Sequence, residues 1–514
     1  MPSSEPSTDV VSAPRPWWER RPLVALLILL ALVPLLYPPV PPLVDLIGHM
    51  GRYRVQLDLG SSPWLRDYYT FHWAAIGNLG VDLAVMPLAQ LVGLENAVKL
   101  IVLAIPPLTV AGFLWVAREV HHRLPPTAMF ALPFVFGHPF MFGFVNFALS
   151  MAFAFLAFGL WLRLARLGRL TLRAWLFVPI SIVVFFTHTF GWGTLGLLCF
   201  SAEAVRQHDR GTPWFKAGVG AALHAGVMAL PVAIMLAWRH ETHGSIAANW
   251  FDWDMKVEWI ASALRDRWQY FDVASLALAM AVLIFVLRSP RLTLSRNLAF
   301  SALVLLAGFI LLPWTVFGSA YADMRLVPYL IAVALLAIRF RDDTHLPTAR
   351  VLAALGLAFV LVRFGGTTIS LAIAADDQRA KLAALDHVPM GARVASLVGV
   401  DCTKPWPLRR NSHLGSMVIV RRQGFSNDQW VIEGANLLGL RYHEAGAFSA
   451  DPSQLVRAAR CGLGHTPDDA LKALPREAFD YVWMIDPPPF DPKLTEEMRM
   501  VWRGEGSILY QVRP

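Results

Sequence analysis

The sequence predicts an α-helical polytopic membrane protein of about eleven transmembrane helices, with interfacial helices in the first outer loop and a small C-terminal extracytoplasmic α/β domain. Hydrophobic residues make up 56% of the 514 and charged residues only 16%, too little charge for a soluble protein with a hydrated surface. Apolar runs long enough to cross about 30 Å of hydrocarbon recur from Pro22 to Ala374. From Asp376 onward no such run occurs and the composition is that of an ordinary soluble domain. The chain therefore divides into a cytoplasmic N-terminal tail, 1–21, a transmembrane domain, 22–375, and an extracytoplasmic α/β domain, 376–514.

Arginine sets the orientation. Arg15 to Arg21 form a basic stretch, and the apolar run Leu23 to Leu36 behind it superficially matches a signal peptide. Tyr37-Pro-Pro-Val-Pro-Pro-Leu follows instead of a small-residue cleavage site, so the run reads as an uncleaved first span, 22–38, with the N-terminus in the cytoplasm. Residues 1–14, rich in Ser, Pro and acidic residues without periodicity, read as a disordered tail. A second span, 97–116, returns to the cluster Arg118 to Arg123. Pro126 to Leu162 would exceed roughly 50 Å as one helix, so it must double back, with Gly137-His138-Pro139 as the natural turn. It delivers Arg163, Arg166, Arg169 and Arg173 to the cytoplasm. The stretch 174–205 splits likewise at His188-Thr-Phe-Gly-Trp-Gly193 and returns to Arg206, Arg210 and Lys216. Spans 217–238, 273–288, 297–316, 325–338 and 351–374 complete the series with the Arg clusters kept inside. Ile76 to Gly93 is apolar enough to be a further span, but a crossing there would flip every later loop; it reads as an amphipathic helix in the outer interface.

The same topology explains the net charge of +8, since much of the Arg sits in short inner loops, and a nucleic-acid partner is excluded on that ground. It also gathers the polar residues of the membrane part on the outer side. Asp45, His49, Arg52, Asp67, His72, Asp82, His138, Asn146, His188, Asp252, Asp254, Asp323 and Arg325 all fall there, which implies an outward-facing polar cavity.

Asp45-Leu-Ile-Gly48-His49-Met-Gly-Arg52 carries the strongest chemical signal. Positions i, i+4 and i+7 share one face of a helix, so carboxylate, imidazole and guanidinium point the same way. Asp45 reads as a base or ligand, or as a helix N-cap after Pro41-Pro42. Asp45 and His49, one turn apart, suit a divalent metal; His49 alone could simply bond a backbone group. Arg52 and Arg325 suit a phosphate, gripped by a planar fork, or serve as interfacial anchors. His188 and His138 are read as satisfied structural histidines, with His188 kept as a binding candidate. No nucleophile elbow, phosphate-binding Gly loop, HExxH or CxxC occurs, which removes the common hydrolase, ATPase and zinc readings.

Of the cysteines, Cys199 lies in a span, whereas Cys402 and Cys461 both lie in the outer domain, where an oxidising compartment permits a disulfide between them. That domain offers strand-like runs at 393–400, 416–420, 481–485 and 507–512 and helical stretches at 451–459 and 467–474. It has no catalytic signature and reads as a substrate-selecting or stabilising lid.

A cytoplasmic N-terminus, a first span followed by a long outer loop with interfacial helices and an acidic residue, about eleven spans and an extracytoplasmic C-terminal domain resemble the GT-C superfamily of integral membrane glycosyltransferases, in its bacterial, polyprenyl-phosphate-sugar-dependent form. Locally, Asp45-x-x-x-His49-x-x-Arg52 and Gly77-Asn-Leu-Gly80-Val-Asp82-Leu are similar to the first-loop pattern of bacterial members. The resemblance implies transfer of a sugar from a polyprenyl-phosphate-linked donor to a glycan, lipid or protein acceptor at the outer face of the inner (plasma) membrane. It implies that a first-loop carboxylate is the general base or helps position a metal; Asp45 matches best and Asp82 second. The turn with Asp323 and Arg325 resembles a site for the donor's phosphate, and His49, Arg52 and His188 join it as substrate-binding candidates. A divalent cation is the one cofactor left open, with Asp45 and His49 as candidate ligands. The competing classes are a transporter or flippase for a lipid-linked or anionic solute, and a non-catalytic envelope assembly protein of the same architecture.

Overall fold

The computed structural model describes residues 15–239, 247–316, 319–341, 346–431, 436–462 and 464–512; the tail expected over 1–14 lies outside them. Five described helices are long and apolar enough to cross a membrane: Leu94–His121, Val145–Arg166, Leu170–Thr187, Gln269–Arg288 and the long C-terminal one that starts at Leu346. A sixth span results if the pair Trp214–Met228 and Leu230–Ala237, bent by 61°, is counted as one. Shorter apolar helices accompany them, so against the expected series of about eleven spans the described residues hold five or six full-length ones with shorter companions.

Proline accounts for much of the irregularity. The expected first span is two pieces, Arg21–Leu30 and Val33–Leu36, with Pro34 opening the second. The stretch from 126 does double back, but its first arm is a 3₁₀ helix, Ala128–Phe136, with Pro133 inside it. A short helix, His138–Phe142, follows, and the chain reverses at Gly143 rather than at 137–139. Gly143 has φ +102°, open only to glycine without strain. The next pair divides at His188 as its sequence predicts: Leu170–Thr187 and Thr189–Asp209 meet at an extended His188 whose Nδ1 accepts the Phe190 N–H at 3.1 Å.

Helix length ties the two faces of the membrane part together. Val145–Arg166 has 22 residues and so extends about 33 Å, which separates the Val145 end from the arginine end by one bilayer core. At the arginine end, Arg166, Arg206, Arg210, Arg296 and Arg339 line one wide cleft of about 960 Å³. Glu119 accepts from Arg166 at 2.7 Å there, and buried Glu203 pairs with Arg173 and Arg206. Arginines from four of the expected inner loops thus line one cleft.

The final helix, Leu346–Leu382, does not stop near 375 but runs on into the α/β domain, where Gln378 and Lys381 are buried. Midway, Arg363 pairs with Asp272 at 2.8 Å, and Trp406 of the α/β domain donates to the same carboxylate at 2.9 Å. Neither of these two buried charges is thereby left without a partner.

The α/β domain holds a six-stranded mixed sheet in which Arg393–Val400 is flanked by parallel Phe425–Ser426 and Tyr481–Ile485, followed by antiparallel Ser507–Gln511 and Arg499–Gly504. Two elements differ from the sequence reading. The run 416–420 is helical, within a 3₁₀ turn and the helix Met417–Arg422, because Met417 to Val420 are all buried against the Leu46–Asp58 helix and that packing overrides β-propensity. Residues 451–459 are not a helix; Leu455–Arg457 forms a strand beside Val398–Val400. Pro467–Ala473 is helical as expected, opened by a capping box at Thr466. Cys402 and Cys461 form the disulfide, with Cα atoms 6.0 Å apart.

The first loop belongs to this domain as much as to the membrane part. Leu46–Asp58 and Gly80–Val92 are its helices, the second in the place expected for an interfacial one. Between them, Tyr69–Phe71 pairs antiparallel with Leu438–Leu440, and Leu65, Tyr68 and Tyr69 share a hydrophobic core with Phe425, Tyr442 and Val482.

Candidate functional site

A cavity of about 330 Å³ lies where the first loop, the helix ends and the α/β domain meet. Its lining includes Asp45, His49, Arg52, Asn146, His188, Tyr321, Arg325, Trp430 and Asp451. Five sequence-derived candidates, from three separate segments, therefore converge on one hollow.

Asp45 occupies the N-cap position of Leu46–Asp58, but its side chain makes no capping bond, which leaves the carboxylate for the cavity. Its backbone is fixed instead: its N–H donates to the Phe142 carbonyl at 2.9 Å and its own carbonyl accepts from the His49 N–H at 3.0 Å. Gly143 makes the close approach possible, since a Cβ there would lie 2.7 Å from the Asp45 nitrogen. Gly143→Ala is expected to cost about 1–3 kcal/mol, through both the left-handed backbone and this clash. Thermal unfolding in detergent checks it; an unchanged midpoint would show that the turn relaxes freely.

Burial pushes the Asp45 carboxyl up to about 7; His413 opposes the rise, Asp451 adds to it and Arg325 opposes it. His413 Nε2 lies 3.9 Å from Asp45 Oδ1 and 4.0 Å from Asp451 Oδ1. His49, one turn on, is held well below its ordinary value by burial, then by the Arg52 and His413 charges, so it is neutral. Its Nδ1 has no hydrogen-bond partner among the described residues, and its ring faces Trp430 at 5.1 Å. Trp430 in turn lies 4.1 Å from His413 and would be 2.5 Å from a Cβ at Gly48, so glycine is what lets the two segments approach.

Arg52 is 4% exposed and bonds Asp82 at 2.8 and 3.0 Å. Asp82 is 1% exposed, does not line the cavity, and also accepts from Asn146 Nδ2 at 2.9 Å. It stands behind Arg52 and orients it, so its position suits a holder of the guanidinium rather than a group that meets a substrate.

Arg325 is the second buried cation at the cavity, 5% exposed. It sits over the rings of Phe144, Phe190 and Phe147 at 4.6, 5.2 and 5.9 Å. Its Nη2 donates to Ser319 Oγ at 2.9 Å and the Ala320 carbonyl at 3.3 Å, while Nε has no partner among the described residues. Among the described residues no carboxylate forms an ion pair with Arg325. A buried cation held by neutral groups creates a positive potential that an anion can satisfy. Asp323, grouped with it in the sequence, is placed elsewhere: its carboxylate accepts the Met324 N–H and the Lys256 ammonium, each at 2.9 Å, anchoring the Trp253–Ala261 helix to the turn that carries Arg325. Gly318 of that turn lies outside the described residues. Tyr321 adopts φ +61°, a left-handed backbone that costs a bulky residue energy and that recurs at binding sites.

His188 lines the cavity, with its ring 5.7 Å from Phe147; its Nδ1 is taken by the backbone, so both the structural role and access to the hollow hold. His138 is buried away from it, 3.3 Å from Ser262 Oγ, as a structural histidine. Among the described residues no group of three or more His, Cys, Asp or Glu side chains is placed to hold a metal ion, so Asp45 and His49 lack a third ligand. Sequence reasoning missed His413 and Trp430 entirely, and met Asp451 only as the start of a helical stretch, 451–459, that does not form.

Fold and site together define a multi-pass membrane protein in which a helical first loop and an α/β domain close a polar cavity over the ends of apolar helices. Two solved structures are similar to it over most of its length. ArnT from Cupriavidus metallidurans in the apo state shares 11% identity at a TM-score of 0.47, and the same protein bound to undecaprenyl phosphate shares 12% at 0.48; each alignment covers 95% of this chain and 97% of the other. No protein-family model matches the chain, and no curated protein matches it in sequence.

Proposed function

We propose that the protein is a GT-C-type membrane glycosyltransferase that moves a sugar from a polyprenyl-phosphate-linked donor to a glycan, lipid or protein acceptor at the extracytoplasmic face of the inner membrane. The observation that supports this most directly is the pairing, across one 330 Å³ cavity, of a carboxyl raised to about 7 with a buried arginine that forms no ion pair among the described residues. The first is matched to take a proton near neutral pH, the second to receive a phosphate.

In this reading the acceptor hydroxyl attacks C1 of the sugar and its proton passes to Asp45. The bond from C1 to the phosphate oxygen breaks, and the electron pair leaves with the phosphate, whose growing charge meets Arg325 and Arg52. Inversion at C1 follows from the superfamily resemblance. Asp82 keeps Arg52 in place, and His49 and His188, both neutral at the wall, serve as hydrogen-bonding groups for the sugar. Among the described residues no three His, Cys, Asp or Glu side chains are grouped to hold a divalent ion, and in this reading stabilisation of the leaving phosphate falls to the arginines. Orientation follows the arginine clusters: the N-terminus is cytoplasmic and the α/β domain, with its disulfide, extracytoplasmic.

The test is incubation of the purified protein with a panel of polyprenyl-phosphate sugars and acceptors, with release of polyprenyl phosphate as the readout. No release across the panel sinks the reading, and donor transfer between vesicle leaflets without release would favour a flippase. Arg325→Gln is expected to weaken donor binding about 10- to 100-fold, the value of a charge-assisted contact of about 1.5–3 kcal/mol. Titration with polyprenyl phosphate alone measures it, and unchanged affinity would move the phosphate site elsewhere.

A further inference from the structure

The membrane part supplies Asp45, but the groups nearest its carboxylate come from the α/β domain. His413 precedes the 3₁₀ turn Leu414–Ser416, and its Nδ1 lies 2.9 Å from the backbone carbonyl of Asp428. A carbonyl can only accept, so Nδ1 carries the proton and the lone pair of the neutral ring sits on Nε2. That lone pair faces Asp45 Oδ1 at 3.9 Å and Asp451 Oδ1 at 4.0 Å. Asp428 is itself locked, its carboxylate accepting from the Ser416 N–H at 2.8 Å and the Ser416 and Ser426 hydroxyls at 2.7 and 2.8 Å. Asp451 accepts from Gln454 Nε2 at 2.7 Å. Asp45 is 13% exposed at its side chain, His413 6% and Asp451 22%, so the row runs from a buried carboxylate through a more deeply buried ring to the most accessible member.

We infer that His413 and Asp451 carry away the proton that Asp45 receives, so that the α/β domain supplies half of the acid–base machinery and is not merely a lid. The inference rests on the glycosyltransferase reading for the source of the proton. The acceptor O–H bond breaks as its oxygen bonds C1, and the proton joins the Asp45 carboxylate. It then passes to His413 Nε2, giving a transient imidazolium and restoring the Asp45 carboxylate, and from there to the Asp451 carboxylate and solvent. Each gap is an ion-pair distance, closed by one bridging water or a small side-chain rotation. His413 and Asp451 act through Asp45, as positioning residues.

The charged and titratable groups facing Asp45 are His413, Asp451, Arg325 and Tyr321; those facing His413 also include Asp428 and His49. Two substitutions should therefore move Asp45 in opposite directions. Asp451→Asn removes a negative neighbour and lowers the pH at which Asp45 ionises, whereas His413→Gln removes a group able to hold positive charge and raises it.

Infrared spectroscopy of the full-length protein in detergent reads this without turnover. The carbonyl band of a protonated carboxylic acid disappears on ionisation, and the part lost in Asp45→Asn belongs to Asp45. The wild-type midpoint is expected near 7. A midpoint lower by about half a pH unit or more in Asp451→Asn and higher by a similar amount in His413→Gln supports the relay. A midpoint unmoved in either variant, or moved the same way in both, overturns it. Asp451→Ser and His413→Asn replace any variant that fails to elute as folded protein. With an active donor, the acid limb of the pH–rate profile must shift in the same two directions. If no donor is consumed, the glycosyltransferase reading fails while the infrared midpoints still decide the coupling.

Discussion

Asp45→Asn lowers sugar transfer by about 10²–10⁴-fold, the contribution of a positioned general base, while affinity for polyprenyl phosphate stays within a few-fold of wild type. The asparagine has the same shape, but it takes up no proton. In the wild type, kcat/KM should fall as pH drops through about 7, because the base is then protonated. The same substitution carries a second signature of opposite sense. Burial raises this carboxyl from its ordinary value of 3.8 to about 7, so the folded chain binds the proton more tightly than the unfolded chain. Stability is therefore lost as pH rises from the carboxylate range through about 7. Asn bears no such penalty, so Asp45→Asn should melt above wild type at about pH 8 and close to it at about pH 4. An inactive and more stable variant would mark a group retained for chemistry at the expense of the fold. Full activity in Asp45→Asn sinks the assignment of the base, and an unchanged melting difference across pH sinks the burial argument.

Asp82→Ala acts on stability first. It leaves the Arg52 guanidinium, 4% exposed, without its carboxylate, and breaking a buried pair in this way costs about 3–5 kcal/mol. A markedly lower thermal midpoint in detergent is the expected result. Removing both charges should reverse most of that loss: Arg52→Met combined with Asp82→Leu restores the midpoint, since a buried ion pair contributes little over apolar packing of similar volume. Donor binding should not return with it, because the phosphate-facing cation is gone. If the double variant binds polyprenyl phosphate as well as wild type, Arg52 is a structural charge only. If Asp82→Ala melts like wild type, the pair is not buried as described.

The parts of the site that could be read from sequence were those with a local signature. Asp45, His49 and Arg52 are linked by helical spacing alone, and the helix forms where the spacing puts it. His188 stood out because Thr-His-Thr-Phe-Gly interrupts an apolar stretch too long for one span, and the chain does break there. Arg325 was visible as an ionisable residue at the edge of a span. What local pattern could not supply was partnership. Asp323 and Arg325 are two residues apart, yet one faces Lys256 and the other an aromatic cage, because a 3₁₀ turn separates their directions. The α/β residues had no periodicity to betray them: Gln429 donates to the Gly48 carbonyl across 381 positions of sequence. The run 416–420 was misread for a related reason. Its β-branched residues fit a strand by propensity, and only burial against the first-loop helix makes a helix the better solution. Span lengths suffered from proline, whose effect on a helix depends on which neighbour satisfies the freed carbonyl.

The pairing of Tyr69–Phe71 with Leu438–Leu440 bears on how the protein is made. Synthesis begins at the N-terminus, so the first loop is made while the strand it needs has yet to be translated. Until then Tyr69 and Leu65 have no core to enter, and Asp45 lacks its neighbours His413 and Asp451. The site comes into being only when the last segment of the chain docks on the first. A truncated or stalled chain is thus left with an incomplete site and an exposed strand edge, a feature that quality-control proteases and chaperones can recognise.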